Sequence, residues 1–272
     1  MEIPASPPLD TARASFRTHL NYARRIGHLL SGCSITVTPM DGARVVHADV
    51  KRFRKLYHVT NKSIEKDIEL SREDSEFAVI ATPWFPVKCY YALYYLESIL
   101  VHLLDGTTAG FLKGGHTGIR KRIYADLVTG AIVLSIPDLS RICMLEEVQK
   151  MPAIDSGRNA RSTFWNEEAC TESILKKLLE YKLHDAKLGR KWNLHTRVDR
   201  DDRNAYIASE RLALLDFFYW YRIKANYRDL DYIDFENGIT PDEVRGYMEA
   251  YNVAYERYRS LLISQIDVLS TS

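Results

Sequence analysis

Two adjoining segments near the end of the chain constrain its fold most, together with the polar break between them. Residues 207–220 carry Ile207, Leu212, Ala213, Leu214, Leu215, Phe217, Phe218, Tyr219 and Trp220, which are apolar on nearly every face. Read as a helix, such a segment has to be surrounded by other helices. Thr240, Pro241, Asp242 and Glu243 read as a capping box, with Thr240 as N-cap, Pro241 at the first helical position and Glu243 reaching back to the Thr240 amide. Val244, Tyr247, Met248, Tyr251, Tyr255, Tyr258 and Leu262 follow at helical spacing as one apolar stripe. Between the segments runs Tyr221-Arg222-Ile223-Lys224-Ala225-Asn226-Tyr227-Arg228-Asp229. The sequence therefore predicts two long helices joined by a polar elbow.

The rest of the chain favours more helices around this pair. It has 17 Tyr but few Gly and Pro, which argues against a sheet-rich fold. The net charge of +1 gives no global attraction to nucleic acid or an anionic membrane, so a polyanion would have to meet a local basic patch. Cys33, Cys89, Cys143 and Cys170 are isolated, without the short spacing of a zinc or redox motif. The N-terminus lacks the pattern of a signal peptide. The longest apolar segment, 87–104, is interrupted by Lys88, Glu97 and His102. The expectation is a soluble cytoplasmic protein that does not span a membrane.

Helices are expected over 10–30, 50–70, 87–104, 116–128, 139–150 and 167–188. A connector is expected over 189–202. Ser34 to Thr38 and Ala43 to Val46 flank Met40-Asp41-Gly42, which reads as a small β-hairpin near the N-terminus. Residues 131–136 form a short β-prone run. Pro152, Asp155, Ser156, Gly157 and Asn159 mark a linker at 151–162. The fold class read from this pattern is mainly α, a helical bundle with one minor β element.

No Gly-rich phosphate loop, zinc-ligating His pair or nucleophile elbow occurs. No metal site and no cofactor are expected. Four features remain. Arg222, Lys224, Asn226, Tyr227 and Arg228 read either as cations and polar groups capping a helix C-terminus or as a site where Arg222 offers its fork to a phosphate. His116 follows Gly114 and Gly115, at a helix start where an anion can bind, or simply packs on aromatics. Arg120, Lys121 and Arg122 extend a phosphate-binding surface or form an exposed face. Lys51-Arg52-Phe53-Arg54-Lys55 mixes cations with an aromatic, as nucleic-acid surfaces do and as solvated helix faces also do. Arg190 and His195 are separated by four residues in the expected connector.

Several of these residues carry a family resemblance. Lys88-Cys89-Tyr90-Tyr91-Ala92-Leu93-Tyr94-Tyr95-Leu96 resembles the A-Y-Y-A helix of the HEPN superfamily. His116-Thr117-Gly118-Ile119 resembles the T-H-x-G-(V/I) motif that opens its next helix, and Arg222-Ile223-Lys224-Ala225-Asn226-Tyr227 resembles its R-x-x-A-D-Y elbow. The likeness covers residues 87–134 and 205–262. It implies an up-and-down HEPN-like bundle over 83–268, with an insertion around 137–204 and an N-terminal helical and hairpin extension over 1–82. It also implies a homodimer with elbows facing across a cleft, in a toxin–antitoxin or anti-phage defence setting with an antitoxin or defence-system partner.

Active members of the family are metal-independent endoribonucleases with Arg followed, four to six residues later, by His. Here that position is Tyr227, and a phenol with a pKa of about 10 is a poor base at neutral pH. The resemblance thus implies RNA or nucleotide binding at Arg222, Lys224, Asn226, Tyr227 and Arg120, with weak or no catalysis. If chemistry occurs, Arg222 and His116 would carry it. An active endoribonuclease and a non-catalytic dimeric scaffold are the alternatives, so whether the chain is an enzyme stays open at this stage.

Overall fold

The computed structural model describes residues 9–38, 48–105, 115–151, 167–227 and 239–271. The chain is mainly helical. Its elements, in order, are α1 (Leu9–Ser31), β1 (Ile35–Val37), α2 (Ala48–Glu73), α3 (Ser75–Ala81), α4 (Phe85–Asp105), α5 (Gly115–Thr129), β2 (Ile132–Leu134), α6 (Pro137–Ser140), β3 (Ile142–Met144), α7 (Leu145–Lys150), α8 (Glu167–Arg190), α9 (Arg197–Ser209), β4 (Arg211–Ala213), α10 (Asp216–Tyr227) and α11 (Pro241–Thr271).

α4 is the centre of the packing. Tyr90, Leu93, Leu96, Ile99, Leu100 and Leu103 are all buried, which requires neighbours on several sides. It finds them in α2, α5, α10 and α11. α11 begins as its sequence indicates: the Thr240 N–H donates to Glu243 Oε2 at 3.0 Å, and the Glu243 N–H donates to Thr240 Oγ1 at 3.2 Å. Its stripe from Val244 to Leu262 is buried throughout, and each large apolar side chain contributes roughly 1.5–3 kcal/mol relative to exposure.

α1 lies along α11 with Phe16, Leu20, Ala23, Ile26 and Leu30 inward. Gly27 permits that approach, since a β-carbon there would sit 3.3 Å from Val253 Cγ1 and 3.4 Å from the Ala254 nitrogen. The Arg17 Nη2 also reaches Glu243 Oε1 at 3.0 Å, tying α1 to the start of α11. Helices on either side of residue 82 thus contribute to one hydrophobic cluster.

Four expectations are corrected. Among the described residues, Ile35–Val37 finds its partner far along the chain and not locally, the expected partner Ala43 to Val46 lying outside them. It pairs antiparallel with β2, Ile35 opposite Leu134 and Val37 opposite Ile132, while the Asp41-Gly42 turn lies outside the described residues. Residues 139–150 are not one helix: Arg141 leaves the helical region at ψ 120°, and β3 follows before α7. The connector over 189–202 is largely helical, because Thr196 caps α9 through Asp199. Most importantly, 207–220 is interrupted. α9 stops at Ser209, Arg211–Ala213 pairs with β3, and α10 starts only at Asp216, whose Oδ2 accepts the Ala213 N–H at 2.9 Å. A run that is apolar all round fits a buried strand and turn as well as a helix, and periodicity does not separate them. The proposed linker at 151–162 lies outside the described residues apart from Met151.

Candidate functional site

α4 places Tyr90, Tyr91, Tyr94 and Tyr95 at spacings i, i+1, i+4 and i+5, so their rings form two adjacent columns on one side of the helix. Tyr90 and Tyr94 stack with centroids 6.2 Å apart, and Tyr91 and Tyr95 stand 6.4 Å apart. His116, in the first turn of α5, packs onto this surface. Its ring lies 4.2 Å from Tyr94, 5.3 Å from Tyr90 and 5.5 Å from Tyr91, and its Nδ1 shares a 2.7 Å hydrogen bond with the Tyr90 hydroxyl.

α10 supplies the cation. The Arg222 guanidinium carbon sits 4.8 Å from the Tyr90 ring centre, 5.2 Å from Tyr219 and 5.8 Å from Tyr91. Ring faces attract a guanidinium by about 0.5–2 kcal/mol but accept no conventional in-plane hydrogen bond. Arg222 Nε is buried and, among the described residues, has no hydrogen-bond partner. An orphaned buried donor costs roughly 1–3 kcal/mol, and more when charged. The arrangement therefore holds a rigid, incompletely satisfied cation, suited to an anion that presents oxygen acceptors.

His116 feels that cation. Burial, reinforced by the Arg222 charge, lowers its pKa to about 4, so the imidazole is neutral at neutral pH. Its free Nε2 is a donor when Tyr90 donates to Nδ1 and an acceptor when His116 donates to Tyr90. Burial also keeps the Tyr90 phenol protonated, far above its ordinary pKa.

Arg222 and His116, singled out from the sequence, thus meet at a shared tyrosine. The side chains of Lys224, Asn226 and Tyr227 lie outside the described residues, as does all of 228–238; the backbone of α10 runs through Tyr227 without a break. Arg120 belongs elsewhere. Its Nε donates to Asp216 Oδ1 at 2.9 Å, Nη2 also reaches that oxygen, and Nη1 donates to Glu97 Oε1 at 3.2 Å. Tyr124 donates to Asp216, and Tyr258 donates to Glu97 at 2.9 Å. Burial pushes the Glu97 carboxyl above its ordinary pKa, while Arg120 and the Tyr258 hydroxyl pull it back. This is an internal ion network, so the Arg120 fork is already occupied by carboxylates. Arg122 likewise pairs with Asp126 at 3.0 Å.

Arg190 bonds Asp202 at 3.0 Å and lies 5.0 Å over Tyr206. His195 is exposed and contributes its backbone, accepting from Arg200 and donating to Asn193. The two side chains are not brought together by any described contact.

Sequence reading missed the tyrosines as site residues. Tyr90, Tyr91 and Tyr219 were apolar helix positions by pattern, and the one available signal was a density of phenols beyond what a core requires. A cleft of about 510 Å³ opens beside the site, lined among others by Thr117, Lys121, Tyr206, Tyr219 and Trp220. Tyr219 is common to both.

Among the described residues, no group of His, Cys, Asp and Glu is arranged to hold a metal, and no helix is long and apolar enough to cross a membrane. Comparison with protein-family models, characterised proteins and solved structures finds no match to this chain.

Proposed function

We propose that this chain is a HEPN-like protein that binds an RNA or nucleotide phosphate at Arg222 and His116, with weak or no catalysis. One observation carries the reading: the buried, unpartnered Nε of Arg222, clamped over three tyrosine rings beside a neutral imidazole. A phosphate oxygen would complete the guanidinium and Nε2 of His116 would donate a second bond. Packing of α5, α10 and α11 around α4, the four helices that carry the resemblance, supports the family reading. A cytoplasmic homodimer in a bacterial toxin–antitoxin or anti-phage defence system, with an antitoxin or defence-system partner, goes with it.

Weak catalysis follows from the same geometry. A base held near pKa 4 drives proton abstraction poorly at pH 7. Arg222→Ala is expected to weaken nucleotide or RNA binding at least tenfold, read by fluorescence anisotropy, with little change in melting temperature. Retained binding, or an unfolded variant, rejects the site.

A metal-independent endoribonuclease is the second reading, favoured by the contact of Arg222 and His116 with one tyrosine. Cleavage of labelled RNA in EDTA, lost in His116→Ala, would establish it over the first.

A further inference from the structure

The tyrosine surface continues away from Arg222 toward α2. Tyr91, which faces both Arg222 and His116, is followed one turn along α4 by Tyr95, and both are only half-buried. Beyond Tyr95 comes the first part of α2. Phe53 packs edge-on against Tyr95 at 5.4 Å and is itself buried, so it serves the core and is not a stacking residue on the surface. Its burial turns its neighbours outward: Lys51, Arg52 and Lys55 are exposed, and none has an ion pair among the described residues. Arg52 directly precedes Phe53, whose ring meets Tyr95, so the start of α2 brings this cation to the Tyr95 end of the tyrosine surface; burial raises the Tyr95 phenol and the Arg52 charge opposes that rise.

We infer that Arg222, Tyr91, Tyr95, Arg52 and Lys55 form a continuous track for single-stranded RNA, with one phosphate at Arg222, bases on the two tyrosines and following phosphates on α2. This rests on the phosphate-binding reading of Arg222 and extends it from a mononucleotide to an oligonucleotide. Unpaired cations supply an attraction that any polyanion would feel. Half-exposed tyrosine rings between them add a term that only flat bases satisfy, and such stacking tolerates any base sequence. On α8 and α9, by contrast, Lys177, Lys182, Arg190 and Arg197 are each paired with an acid.

The test measures affinity for uridine monophosphate and for oligouridylates of increasing length. Affinity should rise on the order of tenfold once the strand is long enough to cover both tyrosines. Its dependence on salt should steepen by about 0.7 in log–log slope for each added phosphate contact. Arg52→Gln with Lys55→Gln, both on the surface, should remove that steepening while the monophosphate, too short to reach α2, loses less than twofold. Tyr95→Leu should remove the length-dependent gain.

A wild-type protein that binds the monophosphate with no gain from length overturns the track and leaves the Arg222 site standing. Failure to bind either one overturns the Arg222 reading beneath it. Equal gains with polyglutamate of matched charge would make the face an acidic-peptide surface and overturn the RNA assignment.

Discussion

Two helices packed on α4 each carry an arginine, Arg120 buried and Arg222 half-buried, and their charges are met differently. Arg120 is almost completely buried and meets two carboxylates, themselves bonded by Tyr124, Tyr258 and a backbone N–H. Arg222 meets no carboxylate among the described contacts, only the faces of Tyr90, Tyr91 and Tyr219. The first environment neutralises the cation and leaves nothing for a ligand. The second holds the cation in place while leaving its charge and one buried donor unanswered. An arginine held against the core therefore indicates a binding site only when its partners fall short of its needs.

The sharpest test of this contrast is Arg120→Ala. Two buried carboxylates would lose their counter-charge, and breaking such a network costs about 3–5 kcal/mol. Urea denaturation should show that loss, and a change below about 1 kcal/mol would mean that Arg120 is not the structural member of the pair. Arg222→Lys is the reciprocal test. It keeps the charge but loses the planar fork, so binding of nucleotide should fall roughly tenfold while the urea midpoint hardly moves. Equal affinity would reduce the site to a point charge.

A smaller effect concerns His116. Its folded pKa of about 4 lies below the unfolded value of about 6.5, so between those values the unfolded chain binds more protons. Its contribution destabilises the fold as pH falls through that window and vanishes above it. His116→Asn should therefore lose less stability than the parent chain between pH 7 and pH 5, measured by urea midpoints. Ligand binding should raise the His116 pKa, because an anion cancels the push from Arg222; a titration followed by NMR would show it. Smallest is Tyr90→Phe, which removes one hydrogen bond worth about 0.5–1.5 kcal/mol yet keeps the ring beneath Arg222. Ligand affinity should survive it.

Much of this was legible in the chain itself, for identifiable reasons. The α11 capping box is local chemistry within four residues, and the α1 and α11 stripes are simple periodicity, so both read correctly. Arg222 stood out as a cation at the end of an apolar segment, and His116 as the residue that opens a helix after Gly114 and Gly115. What could not be read was pairing at a distance. Nothing local to Ile35 points to Leu134, and nothing local to Arg120 announces Glu97 and Asp216 as its partners. The break at residues 209–216 was hidden for a related reason: full burial removes the alternation that would mark a strand, and only the pairing with Ile142–Met144 reveals it.

The packing of α1 on α11 has a consequence for synthesis. On the ribosome, α1 emerges with Phe16, Leu20, Ala23, Ile26 and Leu30 along one face, and the helix that covers them begins only at Pro241. β1 must likewise wait for β2. A sticky surface thus persists until α11 has been synthesised, making the nascent chain a natural client for chaperones that shield exposed apolar faces.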